Sequence, residues 1–161
     1  MLGDDLRVAL GMALEHARTK KHEFLTTEHL LHGLLHDPRA AEILEACGAN
    51  LKRLESEIEA LIDQMDPVDV DPDYDPMQTA AFRRVLQRAI LHVQNAKKGA
   101  PVDGGNVLVA LYGEPESEAV RLLERMGVSR IDVVSFISHG LRKGGSRPGE
   151  ERTPQGAGGE G

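Results

Sequence analysis

The segments LRVALGMALEHA (residues 6–17) and FRRVLQRAILHV (residues 82–93) carry the same apolar pattern at positions 76 apart. In both, apolar side chains recur three and four residues apart, which places them along one face of an α-helix. The matched residues are Leu6, Ala9, Leu10, Ala13, Leu14 and Ala17 in the first segment, and Phe82, Val85, Leu86, Ala89, Ile90 and Val93 in the second. We therefore predict two amphipathic helices that occupy equivalent places in two copies of one repeat.

The signals that start and stop helices recur in the same order after each segment. They are Asp37-Pro38 and Gly48 in the first copy, and Glu114-Pro115 and Gly127 in the second. Thr26 precedes an apolar run and has the side chain of a good N-cap, so we expect a second helix to begin there. Agreement of apolar positions, helix breakers and caps over about sixty residues indicates an internal duplication. The expected fold is all-α, with two tandem four-helix repeats packed about a pseudo-two-fold axis.

Composition divides the chain into four segments. Residues 1–65 form the first predicted repeat and residues 78–143 the second. Between them, DPVDVDPDYDPM (residues 66–77) has five Asp and three Pro, a composition that cannot propagate a helix and predicts an extended acidic linker. Residues 144–161 have seven Gly, two Pro and no apolar anchor, which predicts a flexible tail leading toward a further module outside this chain.

Charge and residue usage argue against several classes of function. The 161 residues carry a formal charge of −7, with 26 acidic and 19 basic side chains, which disfavours nucleic acid and anionic membranes as main partners. The single cysteine, Cys47, has no internal disulfide partner, and no apolar run approaches membrane-spanning length, so we expect a cytoplasmic location. Cys47 is predicted to be a small core residue rather than a nucleophile. No Gly-rich phosphate-binding motif is present, so we expect no nucleotide cofactor in this chain.

Two sets of side chains have spacings that metal ions can use. His29, His32 and His36 lie three and four residues apart on one predicted helix. No HExxH motif accompanies them, and we expect His29 to pack or hydrogen-bond at the helix start while His32 and His36 face solvent. Alternating aspartates in the linker resemble the start of a calcium-binding loop, but Tyr74 stands where that loop requires Gly and Ala80 where it requires Glu. Neither set is predicted to bind a metal.

Arg84 and Arg88 lie one turn apart on the polar face of the helix that opens the second repeat. Such a pair either grips carboxylates of a partner or forms an ordinary solvated face. Spacing alone favours the solvated face.

Several short segments carry a resemblance to a known family. They are HEFLTTEHLL (residues 22–31), FRRVLQRA (82–89), HVQ (92–94), NVLVA (106–110) and VSFISHG (134–140). Together with the duplicated helical unit, they resemble the N-terminal domain of Clp-family AAA+ unfoldases, and the ClpA type in particular. The resemblance covers the chain from its first residue to about residue 143, and the ATPase modules of that family lie outside this sequence.

The resemblance implies a mobile docking domain on a hexameric unfoldase, with no catalytic residues of its own. Such a domain binds the adaptor ClpS and protein substrates, which the hexamer passes to the peptidase ClpP. ATP and Mg²⁺ would bind the absent ATPase modules, and the isolated domain is expected to be a monomer. The positions that match the adaptor surface of ClpA relatives are Glu23, Glu28, Thr79, Arg84 and Arg88. Replacing Glu28 with Lys is expected to weaken adaptor binding while leaving the fold largely intact.

One departure from the family pattern narrows the range of expected partners. ClpC-type relatives have a Thr-Xxx-Glu-His motif in both repeats, and the paired glutamates receive a phosphorylated arginine. Here the first repeat has that motif at residues 26–29, whereas the second reads Asp103-Gly104-Gly105-Asn106, with Gly105 at the position of the second glutamate. This difference weighs against phosphoarginine recognition and favours the ClpA-type role.

Two rival functions remain open from the sequence. One is a free-standing regulator that binds the adaptor without any ATPase. The other is a metal hydrolase that uses His29, His32 or His36 with an aspartate of the linker.

Overall fold

A computed structural model describes residues 1–143 and contains eight α-helices and two short strands in that range. The elements are α1 (Asp4–Thr19), β1 (Phe24–Leu25), α2 (Thr27–Leu34), α3 (Pro38–Ala46), α4 (Leu51–Asp63), β2 (Met77–Gln78), α5 (Ala80–Ala96), α6 (Gly104–Leu111), α7 (Glu118–Arg125) and α8 (Arg130–His139). The predicted all-α fold with four helices in each half is confirmed. The predicted tail at residues 144–161 lies outside the described residues.

Side-chain caps fix where seven of the eight described helices begin. Thr26 caps α2, as predicted, and the His29 side chain completes a capping box there. Asp103 caps α6 with Asn106 in the same arrangement. Asp37 does more than end α2, because its Oδ1 accepts hydrogen bonds from the backbone of Arg39 and Ala40 and so begins α3. The same helix-stop signal therefore also starts the next helix.

The third helix of each half packs mainly against the other half. Helix α3 of the first half packs against α6 and α8 of the second, and α7 of the second half packs against α2 and α4 of the first. These contacts are related by the predicted pseudo-two-fold axis, and they merge the apolar faces of both halves into one buried cluster. Cys47 belongs to that cluster and is 2% exposed, which confirms its prediction as a core residue. None of the described helices combines the length and apolar character needed to cross a bilayer.

Short parallel pairings bring helix starts of different halves side by side. Strand β1 pairs with β2 in the register Phe24 to Met77 and Leu25 to Gln78, and each strand runs directly into a helix, α2 or α5. A single bridge between Leu2 and Val102 makes the equivalent parallel pairing ahead of α1 and α6. The starts of α2 and α5 are therefore held together on one side of the domain.

Gly33 allows α1 and α2 to approach closely. A Cβ atom at this position would lie 2.5 Å from the carbonyl oxygen of Ala9 and 3.2 Å from the Cβ of Ala13. Small residues on both helices therefore set the close packing of this pair.

Candidate functional site: a groove at three helix N-termini

Three helix N-caps line one surface groove. Thr26, Thr79 and Ser117 cap α2, α5 and α7, and all three line a groove with a volume of about 520 Å³. The β1–β2 pairing sets the first two helix starts side by side, and the packing of α7 against α2 adds the third. The remaining lining residues are Thr27, Glu28, Ala81, Arg84, Glu114, Pro115, Glu116 and Glu118.

The groove combines helix-terminal backbone amides with an excess of carboxylates. Helix N-termini carry partial positive charge, and here their first amides are capped by the Thr and Ser hydroxyls. Four glutamates and one arginine line the groove. Its charged side chains are therefore predominantly acidic, which suits a partner segment with basic or hydrogen-bond-donating groups.

Glu28 joins the two halves of the domain at this groove. Its Oε2 accepts hydrogen bonds from the Ser117 hydroxyl and the Ala119 backbone amide, both at 3.2 Å, and from the Thr27 hydroxyl at 3.1 Å. The hydroxyls of Thr27 and Ser117 lie 2.7 Å apart. Glu28 therefore helps to cap α7 of the other half. The expectation that Glu28→Lys leaves the fold largely intact counted only the contribution of this carboxylate to α2, and the contacts with α7 argue against it.

Arg84 and Arg88 grip a carboxylate of this chain, Glu114. Arg84 donates from Nε and Nη2 to the two Glu114 oxygens at 3.1 and 2.6 Å, and Arg88 donates from Nη2 at 3.0 Å. Arg88 also donates from Nη1 to the Ala110 carbonyl at 2.8 Å. Both alternatives drawn from spacing therefore need correction, because the arginines are neither simply solvated nor wholly free for a partner. The Arg84 side chain remains 54% exposed and borders the groove.

Glu114 is a buried anion that spacing did not single out as a site residue. It is 8% exposed, and the hydrogen bonds from Arg84 and Arg88 hold its pKa below the ordinary value despite burial. Its place in the sequence, before Pro115 and matched to Asp37-Pro38, was the available signal. That match indicated a helix boundary but gave no indication of the arginine partners.

The five residues carried over from the family fall into three places. Glu28, Thr79 and Arg84 line the groove. Arg88 lies behind it, where it holds Glu114 and borders a separate cavity of about 300 Å³. Glu23 lies outside the groove lining, exposed at the start of β1, where its carbonyl accepts the Met77 amide at 2.9 Å. Their roles in partner binding stay predictions.

Two exposed apolar side chains, which were not singled out from the sequence, lie two residues before the groove-lining caps Thr26 and Thr79. Phe24 is 43% exposed and Met77 is 63% exposed, and they face each other in the β1–β2 register. Phe24 lies in the quoted segment HEFLTTEHLL, but only the pairing with the linker end brings Met77 beside it. They form an apolar edge, which we call the Phe24–Met77 edge.

The pseudo-symmetric position in the second repeat lacks the matching carboxylate. A Cβ atom on Gly104 would lie 2.3 Å from Oδ1 of Asp37, because the Asp37 carboxylate occupies that space. A Cβ atom on Gly105 would lie 2.8 Å from Cδ1 of the buried Ile43. The backbone there is packed too closely for a second glutamate without rearrangement. This geometry agrees with the sequence argument against a paired-glutamate site.

The histidines on and just after α2 do not share one environment. The backbone amide of Thr26 donates to Nδ1 of His29 at 3.0 Å, while Nε2 of His29 lies 3.0 Å from Nδ1 of His22. His29 is fully buried, and burial lowers its pKa to about 3, which confirms that it packs and hydrogen-bonds at the helix start. His36 is exposed, as predicted. The prediction that His32 faces solvent is wrong, since its side chain is 14% exposed and lies against Glu59 of α4.

Comparison with known proteins agrees with this architecture. The family model for the Clp repeat (R) N-terminal domain matches residues 1–147. The ClpA homolog protein of Fuscovulum blasticum is 40% identical over 154 residues, which is 94% of this chain and 19% of that relative. The chain therefore spans about one fifth of the length of this curated relative.

Solved structures of low sequence identity share the fold. The N-terminal domain of Hsp104 from Candida albicans superposes with a TM-score of 0.71 at 14% identity, over 88% of this chain and 94% of that chain. The ClpV N-domain in complex with a VipB peptide gives a TM-score of 0.67 at 20% identity, over 86% of this chain and 85% of that chain. Since the family model matches residues 1–147 of the 161, the chain belongs to the Clp repeat (R) N-terminal domain family.

Proposed function

We propose that this domain is a docking module that binds the adaptor ClpS and protein substrates, for delivery to an attached AAA+ unfoldase and the peptidase ClpP. The observation that carries the proposal is the convergence of three helix N-termini and the Glu28 and Glu114 carboxylates on one groove between the two repeats. The ClpV N-domain, which has the same fold, is in complex with a peptide of a partner protein. Binding rather than catalysis is the role that we assign to the groove.

The groove and the Phe24–Met77 edge together supply the usual parts of a protein interface. The edge offers apolar side chains that a partner can desolvate, and the groove offers hydroxyls, carboxylates and the exposed flank of Arg84 for hydrogen bonds. Glu28 and Glu114 are already held by internal hydrogen bonds, so they lose little freedom when a partner arrives. This preorganisation favours a specific partner over a nonspecific apolar contact.

The acidic lining predicts how binding depends on salt. Of the four glutamates that line the groove, Glu114 is paired with Arg84 and Arg88, and Glu118 is paired with Arg121. The remaining acidic charge attracts a basic or donor-rich segment of the partner, and added salt screens that attraction. Association with ClpS is therefore expected to weaken as ionic strength rises, mainly through a slower on-rate.

The test is calorimetric titration of this chain with purified ClpS from the same organism at two salt concentrations. We expect one-to-one binding that is weaker at high salt, and a further loss for Met77→Ser and Glu28→Gln. The matched control is Ile131→Ser, which removes an equally exposed apolar side chain on α8. Absence of binding at high micromolar ClpS, or equal affinities for Met77→Ser and Ile131→Ser, would remove this face as the adaptor site.

The rival functions receive different support. A metal hydrolase that uses His29, His32 or His36 with an aspartate of the linker receives no support at His29, because both ring nitrogens of His29 are engaged by Thr26 and His22. A free-standing regulator would use the same docking groove, and it differs only in lacking an attached ATPase. Sequencing the reading frame beyond Gly161 for a Walker motif separates the two docking roles.

A further inference from the structure

The two strands that lead into α2 and α5 leave one backbone edge unpaired. In a parallel pair, alternate residues of each strand turn their amide and carbonyl toward the neighbouring strand, and the residues between them turn both groups away. The Glu23 carbonyl accepts the Met77 amide at 2.9 Å. The Leu25 carbonyl accepts the Thr79 amide at 3.1 Å. Phe24 lies between Glu23 and Leu25, so its own amide and carbonyl point away from β2.

Phe24 presents these two backbone groups at the outer edge of β1. Neither its amide nor its carbonyl forms a hydrogen bond with another residue of the range 1–143 that the structure describes. The residue is 43% exposed. An unpaired amide and carbonyl on one extended residue are the groups to which a further strand binds. A partner segment in extended conformation can therefore donate one hydrogen bond to this edge and accept another from it.

Two related edges are blocked, which sets the edge at Phe24 apart. On the outer side of β2, the Gln78 carbonyl accepts a hydrogen bond from Nη1 of Arg83 at 2.8 Å. In the second repeat, the equivalent parallel bridge places Pro101 at the position of Phe24. Proline has no amide hydrogen, so it cannot donate to an added strand. The open edge at Phe24 therefore differs both from its neighbour on β2 and from its pseudo-symmetric counterpart.

The side chains around this edge indicate the chemistry of the segment that fits it. The exposed Phe24–Met77 edge can cover an apolar side chain of the partner. Glu23, the residue before Phe24, has an exposed carboxylate. Thr26, two residues after Phe24, lines the acidic groove. A basic side chain next to the apolar one would complement both the carboxylate of Glu23 and the charge of the groove.

We propose that the outer edge of β1 binds an extended segment of a docked protein partner, which pairs with the backbone of Phe24 as a third strand and carries an apolar and a basic side chain. This inference rests on the proposed docking function and adds a binding mode to it. Backbone pairing fixes the direction and register of the segment, while the side chains select its sequence. One paired residue contributes at most two hydrogen bonds, so we expect the edge to orient the partner rather than to supply most of the affinity.

The experiment is amide hydrogen exchange, followed by NMR, of the 161-residue chain alone and in complex with purified ClpS. We expect the Phe24 amide to exchange roughly tenfold or more slowly in the complex, while the amide of Asp69, exposed in the linker, exchanges at an unchanged rate. Binding of ClpS without slower exchange at Phe24 overturns the strand pairing and leaves the docking function standing. Absence of ClpS binding at high micromolar concentration overturns the proposed function and this inference with it.

Two variants at Phe24 separate the backbone hydrogen bond from the side chain. Phe24→Ala removes the aromatic ring and keeps the amide hydrogen, whereas Phe24→Pro removes both. Because Pro101 stands at the equivalent position of the second repeat, a proline is compatible with this pairing. Phe24→Pro should bind ClpS roughly three- to tenfold more weakly than Phe24→Ala, which is the loss expected for one hydrogen bond. Equal affinities of the two folded variants overturn the proposal, and if Phe24→Pro does not fold, the exchange of the Phe24 amide decides alone.

Discussion

Replacing Glu28 with Lys should destabilise the domain substantially, because Glu28 caps a helix of the other repeat. The variant loses the hydrogen bonds that Glu28 accepts from Ser117 and from the Ala119 amide, and it sets a positive charge against the N-terminus of α7. A hydrogen bond to a charged group contributes about 1.5–3 kcal/mol, and a favourable charge at a helix N-terminus about 0.3–1 kcal/mol. Since Glu28 is only half-buried, we expect a loss of about 3 kcal/mol.

Thermal unfolding followed by circular dichroism measures this loss. For a domain of this size, about 3 kcal/mol corresponds to a decrease in Tm of roughly 6–12 °C. Glu28→Gln keeps the shape and one acceptor oxygen and should lose only about 1 kcal/mol. Glu57→Lys is the matched control, because Glu57 is exposed on α4. If Glu28→Lys lowers Tm no more than Glu57→Lys, the carboxylate does not hold α7 and the reasoning from these contacts fails.

Three further predictions concern single side chains. Two arginines hold the pKa of Glu114 below its ordinary value of 4.5, so the stability it contributes is present above that pH and is lost as the pH falls. Urea unfolding of Glu114→Gln should show a weaker decline of stability in acid, and an unchanged decline would contradict the assignment. Gly33→Ala should cost about 1–3 kcal/mol because its Cβ meets a backbone carbonyl 2.5 Å away, whereas Gly11→Ala, with open space, should gain about 0.5–1 kcal/mol. Thermal melts of the two variants would contradict this if both shifted Tm in the same direction. Burial raises the pKa of Cys47 to about 11, so a thiol reagent at pH 8 should label it only after unfolding in urea, and rapid labelling of the native chain would argue against a closed core.

The helices could be predicted from the sequence because their signals are local. Apolar spacing identifies the buried face of α1 and α5, and the side chains of Thr26 and Asp103 mark helix starts within three residues of the amides they cap. The duplication strengthened each assignment by giving it a second occurrence. A separate four-helix unit of this length would be only marginally stable, which is why a shared core could be expected.

The candidate site was only partly predictable because its contacts are distant in the sequence. The Glu28 carboxylate meets an amide 91 residues later, and Arg84 meets Glu114 across 30 residues. Spacing on one helix cannot say which neighbouring helix covers a side chain. That limit explains the error at His32, which periodicity placed toward solvent and α4 in fact covers.

Because α3 and α7 each pack against the opposite repeat, the two repeats form two equivalent interfaces whose sequences can diverge independently. In a dimer of identical chains, every residue at one copy of an interface is also present at the other, so a change that improves one site is imposed on both. Joining the two units into a single chain removes that restriction. The two equivalent sites have different residues, because one has Glu28 and the other has Gly105. At the second site, Asp37 fills the space beside Gly104. The domain thus keeps the folding advantages of a symmetric pair while its two equivalent surfaces carry different side chains.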